Sequence, residues 1–237
     1  MTKLSVNINK IATIRNARGG DLPNVVLAAQ KCEEFGADGI TVHPRPDARH
    51  ITYQDVRQLS SVVKTEFNIE GYPSHSFIDL VLEVKPHQVT LVPDSPEVIT
   101  SNAGWDTIQH RSFLKEVISE LNASSIRTSL FVGTELQFVE GAKYIGAHRV
   151  ELYTEHYANS YSSDRQTAIE PYIQAARHAN ELQLGVNAGH DLNLENLSYF
   201  AKSIPFLAEV SIGHALISDA IYMGLESTVQ QYKNCLS

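Results

Sequence analysis

Eight short runs rich in apolar and β-branched residues recur along this chain. Each is followed by a stretch of helical period, and this alternation constrains the fold more than any other feature. The runs are Lys3 to Asn9, Gly39 to Pro44, Glu66 to Tyr72, Gln88 to Pro93, Arg127 to Val132, Arg149 to Thr154, Gly185 to Gly189 and Glu209 to Gly213. Helical periodicity falls near residues 23–35, 53–64, 74–84, 110–123, 135–144, 165–182, 193–203 and 218–234. Pro23 suits a first helical turn, and Ser74, Thr134 and Asn193 suit N-caps. Strand–helix repetition of this kind implies an α/β chain with a parallel sheet, and eight units close most economically into a (β/α)8 barrel. A doubly wound open sheet is the rival arrangement.

Face patterning favours the barrel. Val6 and Ile8, Ile40 and Val42, and Phe67 and Ile69 share one face of the first three runs, while Asn7 and Asn9, Thr41 and His43, and Asn68 and Glu70 take the other. An open sheet covered by helices on both sides wants apolar residues on both faces. A closed barrel tolerates polar groups inside its upper end, where catalytic side chains collect. All 237 residues fit one such domain, spanning residues 1–237.

The chemistry expected there is anionic. GITVHPRPDARH, from Gly39 to His50, turns a buried-looking strand into a cluster of histidines and arginines stiffened by Pro44 and Pro46. His43 ends the polar face; Arg45 and His50 follow in the loop. NINKIATIRNARGG places Asn7, Asn9, Lys10, Arg15 and Arg18 after the first strand, either as a solvated basic turn or as a phosphate grip through Arg18. Glu70 in NIEGYP and Glu151 in RVELYT are carboxylates at inner strand ends, where burial raises a pKa toward general-base range unless an arginine pairs with them. GVNAGH, with His190, and SIGHALI, with Gly213 and His214, end the last two strands, a common place for backbone phosphate sites.

Other classes are disfavoured. The net charge of −8 opposes nonspecific binding to nucleic acid or anionic membrane, and no apolar run approaches the roughly 18 residues of a membrane span. MTKLSVNINK lacks a secretory core, and two unclustered cysteines, Cys32 and Cys235, fit a reducing, cytoplasmic setting. No HExxH, P-loop or GxGxxG occurs, although convergence of His43, Glu70 and His190 on a metal is left to geometry.

VNINKIATIRNARGG, GADGITVHPRPDARHI, FNIEGYP, KPHQVTLVPDSPEVIT, VNAGH and SIGHALI resemble, in order and spacing, the pyridoxine 5′-phosphate synthase family of the deoxyxylulose-phosphate-dependent vitamin B6 pathway. The resemblance implies a TIM barrel with additional short helices, a homo-octamer, and no metal or organic cofactor. It further implies condensation of 3-amino-2-oxopropyl phosphate with 1-deoxy-D-xylulose 5-phosphate, closing a pyridine ring with release of phosphate and water. His43 and Glu70 match proton acceptors, His190 a proton donor, and Glu151 a carboxylate that stabilises the transition state. Asn7, Arg18, Gly213 and His214 match contacts to the amino-ketone phosphate, and Arg45, His50 and Thr100 match contacts to the sugar phosphate.

The chain departs from the family pattern at two places. Asn9-Lys10 stands where many members carry Asp-His against the sugar phosphate, and Asp191 where many carry Gly. The backbone N–H of Asp191 is expected to keep serving the ligand. Lys10 opens an alternative, a Schiff-base phosphosugar aldolase, and a non-enzymatic barrel that binds a phosphorylated metabolite is another.

Overall fold

The computed structural model describes residues 1–93 and 103–237. Eight parallel strands close a barrel in sequence order: β1 (Lys3–Asn7), β2 (Gly39–Val42), β3 (Glu66–Gly71), β4 (Gln88–Leu91), β5 (Arg127–Val132), β6 (Arg149–Tyr153), β7 (Gly185–Gly189) and β8 (Leu207–Ile212). β8 returns to β1 with Lys3 opposite Glu209 and Val6 opposite Ile212. This is a (β/α)8 TIM barrel, and the open sheet is excluded.

The period-2 pattern explains the two sides of the wall. Leu4, Val6, Ile40, Val42, Ile69, Leu91, Leu130, Val150, Val186, Val210 and Ile212 are buried outward, in one hydrophobic core with residues such as Val56, Leu59, Val81, Leu114, Ile118 and Ala175 from the helices. The inside is polar. Barrels of this class are usually filled by branched apolar layers; here Ser5 and Thr41 share a 2.7 Å hydrogen bond, Asn68 donates to Thr41, Thr90 to Asn68, Gln88 to Thr90, and Arg127 to Gln88 at 2.8 Å. At the floor Glu66 pairs with Arg127, while Arg149 lies 3.7 Å from Glu209. Polar filling costs little only when each group is partnered. Among the described residues, the buried side-chain atoms without a partner are Ser129 Oγ, Asn187 Nδ2 and Glu151 Oε2.

Ten helices surround the barrel among the described residues: α1 (Asn9–Arg18), α2 (Val25–Glu34), α3 (Tyr53–Val62), α4 (His75–Val84), α5 (Arg111–Ala123), α6 (Leu136–Ile145), α7 (Glu155–Glu181), α8 (Leu197–Ser203), α9 (His214–Met223) and α10 (Leu225–Cys235). Ser74 caps α4 as expected, its side chain accepting the Phe77 N–H. α6 instead starts from Glu135 rather than Thr134, and α2 from Asn24 rather than with Pro23 inside its first turn. Asn193 precedes α8, accepting the N–H groups of Glu195 and Asn196 in a local turn.

Three helical stretches differ from the sequence expectation. The basic stretch after β1 is a helix, α1, so Ile8 and Asn9 lie outside the strand. α7 begins at Glu155, ahead of the expected start, and bends at Asp164, whose backbone leaves helical values. The last helical stretch is two helices, because Gly224 adopts φ +79, a conformation that ends α9 and turns the chain into α10.

Candidate active site

A cavity of about 600 Å³ opens at the C-terminal ends of the strands. Its lining brings together Asn7, Asn9, Lys10, His43, Arg45, His50, Glu70, Glu151, His190, Asp191, Gly213 and His214. Residues expected from six scattered segments thus share one chamber. Arg18 does not join them; it is exposed at the end of α1. Thr100 lies outside the described residues.

One wall is cationic. His43 and Arg45 are both buried, and burial together with the Arg45 charge pushes the His43 imidazole well below its usual pKa. The same effects, with Lys10 and Arg49, bring His50 down to about 4. His50 Nδ1 accepts the Ile51 N–H at 2.9 Å, so the neutral ring carries its proton on Nε2 and is a donor there. A second layer holds this wall in position: Asn9 Oδ1 accepts the His43 N–H at 2.9 Å, and Arg15 and Asn16 of α1 donate to the His50 carbonyl. Arg15, read from sequence as part of a basic turn, is buried against Asp55.

The opposite side is acidic. Asn7 links the two, donating to Glu70 Oε2 at 3.3 Å while its own Oδ1 accepts the Asn9 N–H. Glu151 is 3% exposed, and burial plus the Glu70 charge raises its pKa to about 8. Both effects favour its protonated form, and among the described residues its Oε2 has no hydrogen-bond partner. Gly189 is required beside it: a Cβ there would stand 2.8 Å from Glu151 Oε1 and from the Ser211 carbonyl. His190 Nδ1 meets Asp191 Oδ2 at 2.7 Å. The Asp191 N–H, expected to serve a ligand, donates to Thr154 Oγ1 at 3.4 Å.

At the β8 end, Gly213, His214 and Ala215 line the cavity where α9 begins, so first-turn N–H groups of a ten-residue helix border the chamber. A Cβ on Gly213 would lie 3.0 Å from Asn7 Cβ, which keeps that turn small. Among the described residues no group of three or more His, Cys, Asp or Glu is arranged to hold a metal ion, so His43, Glu70 and His190 share the cavity without forming a ligand set. No helix among them is long and apolar enough to cross a membrane.

The sequence reading missed Phe131, Tyr153, Glu155, Asn193 and Ser211, which also line the cavity. Tyr153 and Ser211 were discoverable: each stands two residues from a residue already singled out, Glu151 and Gly213, and so on the same inward face. Glu155 belongs to a helical turn that the periodicity did not reveal.

A family model described as pyridoxal phosphate biosynthesis protein PdxJ matches residues 4–237. A curated relative from Bacteroides fragilis (strain YCH46), named pyridoxine 5′-phosphate synthase, is 64% identical over 236 residues, covering 100% of both chains. Relatives of the same name from Christiangramia forsetii and Cytophaga hutchinsonii are 61% and 62% identical, the first over 100% of both chains and the second over 98% of both. Among solved structures, phosphoribosylanthranilate isomerase from Thermotoga maritima aligns with TM-score 0.62 at 15% identity, over 100% of this chain and 98% of its own. Thiamine phosphate pyrophosphorylase from Pyrococcus furiosus aligns with TM-score 0.63 at 14% identity, over 99% and 95%. These structural likenesses bear on the fold alone.

Proposed function

Because the chain belongs to the PdxJ family of pyridoxal phosphate biosynthesis proteins, we propose that it performs the synthesis of pyridoxine 5′-phosphate for which its relatives are named. The substrates are 3-amino-2-oxopropyl phosphate and 1-deoxy-D-xylulose 5-phosphate, and the products are pyridoxine 5′-phosphate, phosphate and water. One observation carries the reading: a single cavity has cationic and helix-terminal ends suited to two phosphates, with imidazole and carboxyl groups between them.

Joining an amine to a ketone, dehydrating the adduct, eliminating phosphate and closing the ring by carbon–carbon bond formation all move protons at neighbouring atoms. His43, neutral because its charged form is penalised by burial and by Arg45, is able to accept one. Glu70 accepts others, and His190 donates. Glu151, whose protonated form is favoured by burial and by the Glu70 charge, offers a hydrogen bond to oxygen as negative charge develops there. Arg45 and the Nε2–H of His50 hold the sugar phosphate beside Asn9 and Lys10. The turn of Gly213 and His214, backed by Asn7, holds the amino-ketone phosphate.

The protein works as a homo-octamer in the cytoplasm under this proposal, and light scattering after size-exclusion chromatography tests the assembly. The decisive experiment mixes purified protein with both phosphorylated substrates and follows pyridoxine 5′-phosphate by its absorbance. Product formation is expected; tight binding of either substrate without turnover would favour a binding barrel instead.

A further inference from the structure

The loop that closes β7 holds a side-chain pair that the proposed reaction does not by itself require. His190 and Asp191 are adjacent in sequence, yet their side chains meet at 2.7 Å, Nδ1 to Oδ2, with each about a third exposed at the cavity wall. Adjacent residues in extended backbone point to opposite sides. Here His190 adopts φ +92, a conformation rare for a residue with a Cβ, and the chain turns enough for the pair to form. Such a conformation persists only where its surroundings over-determine it.

Those surroundings are visible. Thr154 Oγ1 donates to the Gly189 carbonyl at 2.7 Å and accepts the Asp191 N–H, and Asn196 Nδ2 donates to the Asp191 carbonyl at 3.3 Å. The flanking backbone is therefore tied on both sides. The imidazole also meets the Tyr153 ring edge-on at 5.3 Å, so its plane is fixed from the β6 side.

We propose that Asp191 is a positioning residue for His190: its carboxylate accepts the Nδ1–H, fixes the ring's tautomer and orientation, and leaves Nε2 to exchange protons with the substrate. The proposal rests on His190 acting as proton donor in the synthase reaction. A carboxylate on Nδ1 stabilises the imidazolium, the form that a donor needs before each transfer, and fixes which nitrogen loses the proton. Among the described residues, the other titratable groups sharing this wall are Glu151, Tyr153 and Glu155 from the sixth unit, with Glu70 beyond Glu151. Tyr153 donates its hydroxyl proton to Glu155 at 2.9 Å, which occupies that carboxylate away from Nδ1.

The test is NMR titration of the His190 imidazole in the full-length protein without substrates, the signal being assigned by its loss in His190→Gln. Asp191→Asn is expected to lower the His190 midpoint by roughly 0.5–1 pH unit, the solvent-screened size of one carboxylate at this exposure, and to weaken the preference for Nδ1–H in the neutral ring. Asp191→Glu, which keeps the charge, should recover part of that shift. An unchanged midpoint and tautomer in Asp191→Asn would overturn the proposal. In turnover, kcat should fall and its alkaline limb move to lower pH by the same amount with KM for both substrates nearly constant; an unmoved limb with wild-type kcat would also overturn it. If the wild-type protein makes no product, the synthase reading fails, while the titration still decides whether Asp191 governs His190.

Discussion

Arg15 and Asp55 form a bidentate ion pair between α1 and α3, Nη1 to Oδ1 at 2.5 Å and Nη2 to Oδ2 at 2.9 Å, both side chains about nine-tenths buried. Asp55 also completes the capping box of α3 with Thr52, and Arg15 reaches the His50 carbonyl. One guanidinium therefore ties α1, the loop of the cationic wall and the first turn of α3 into a single unit. Arg15→Ala leaves a buried carboxylate without its cation, a change that typically costs about 3–5 kcal/mol. Urea unfolding should register that loss, and KM for the sugar phosphate should rise because the His50 segment loses its anchor; a midpoint within experimental error of wild type would show the pair to be dispensable.

Glu66 and Glu209 face each other on the barrel floor, where Glu66 is held below its usual range by its hydrogen bond to Glu209 and by the charges of Arg127 and Arg149, against the opposing effect of burial. Glu209, 1% exposed, is pushed up from 4.5 to about 8 by burial and by Glu66, so a proton shared by the pair is favoured on Glu209. The sign follows from linkage. A carboxyl with a raised folded-state pKa contributes stability that is full below 4.5 and lost as pH climbs through about 8. Glu209→Gln keeps a donor toward Glu66 and cannot ionise, so its melting temperature relative to wild type should rise between pH 5 and pH 9 by an amount on the order of a few kcal/mol. A pH-independent difference would mean that Glu209 does not hold the proton.

The strands were legible because each presents an apolar face that must be buried outward, and each core register is set by two or more such residues, as in Leu4 with Val6 and Ile40 with Val42. The helix α1 was not, because its inner face is made by Ala12 and Arg15, and a buried arginine breaks the apolar stripe by which helices are recognised. The junction of α9 and α10 was hidden for a different reason: Gly224 sits among good helix formers, and only its positive φ marks the break. At the site, residue types at strand ends pointed to the chamber, yet no spacing rule could separate Arg15, turned inward to Asp55, from Arg18, exposed three residues on. The pairing of His190 with Asp191 depends on one backbone angle and was likewise invisible.

Glu70→Gln keeps the hydrogen-bonding shape beside Asn7 but removes the carboxylate proposed as base, so kcat should fall by at least about 100-fold while the circular dichroism spectrum and melting profile stay near wild type. The same variant removes the charge that helps raise the Glu151 pKa, so an infrared titration should find the protonated Glu151 carboxyl band disappearing at lower pH than in wild type. Wild-type rates would remove Glu70 from the mechanism, and an unmoved band would show that burial alone keeps Glu151 protonated.

Arg45 is 5% exposed, and its charge is the largest electrostatic contributor holding both His43 and His50 below the usual histidine range. Under the proposed function it thus has two separable roles: a guanidinium for the sugar phosphate, and a field that lowers the pKa of its neighbours. Arg45→Ala should raise KM for 1-deoxy-D-xylulose 5-phosphate by about 10–100-fold, the scale of a lost charge-assisted contact. It should leave KM for the amino-ketone phosphate, which the proposal assigns to the Gly213 turn, close to wild type. With the field gone, His50 should titrate above its wild-type value of about 4. Arg45→Lys separates the effects, since an ammonium restores the field without the bidentate fork: the His50 midpoint should return toward wild type while much of the KM defect remains. Equal rises in KM for both substrates in Arg45→Ala would show that the cationic wall is not specific to one phosphate, and the assignment of the two ends of the cavity would fall with it.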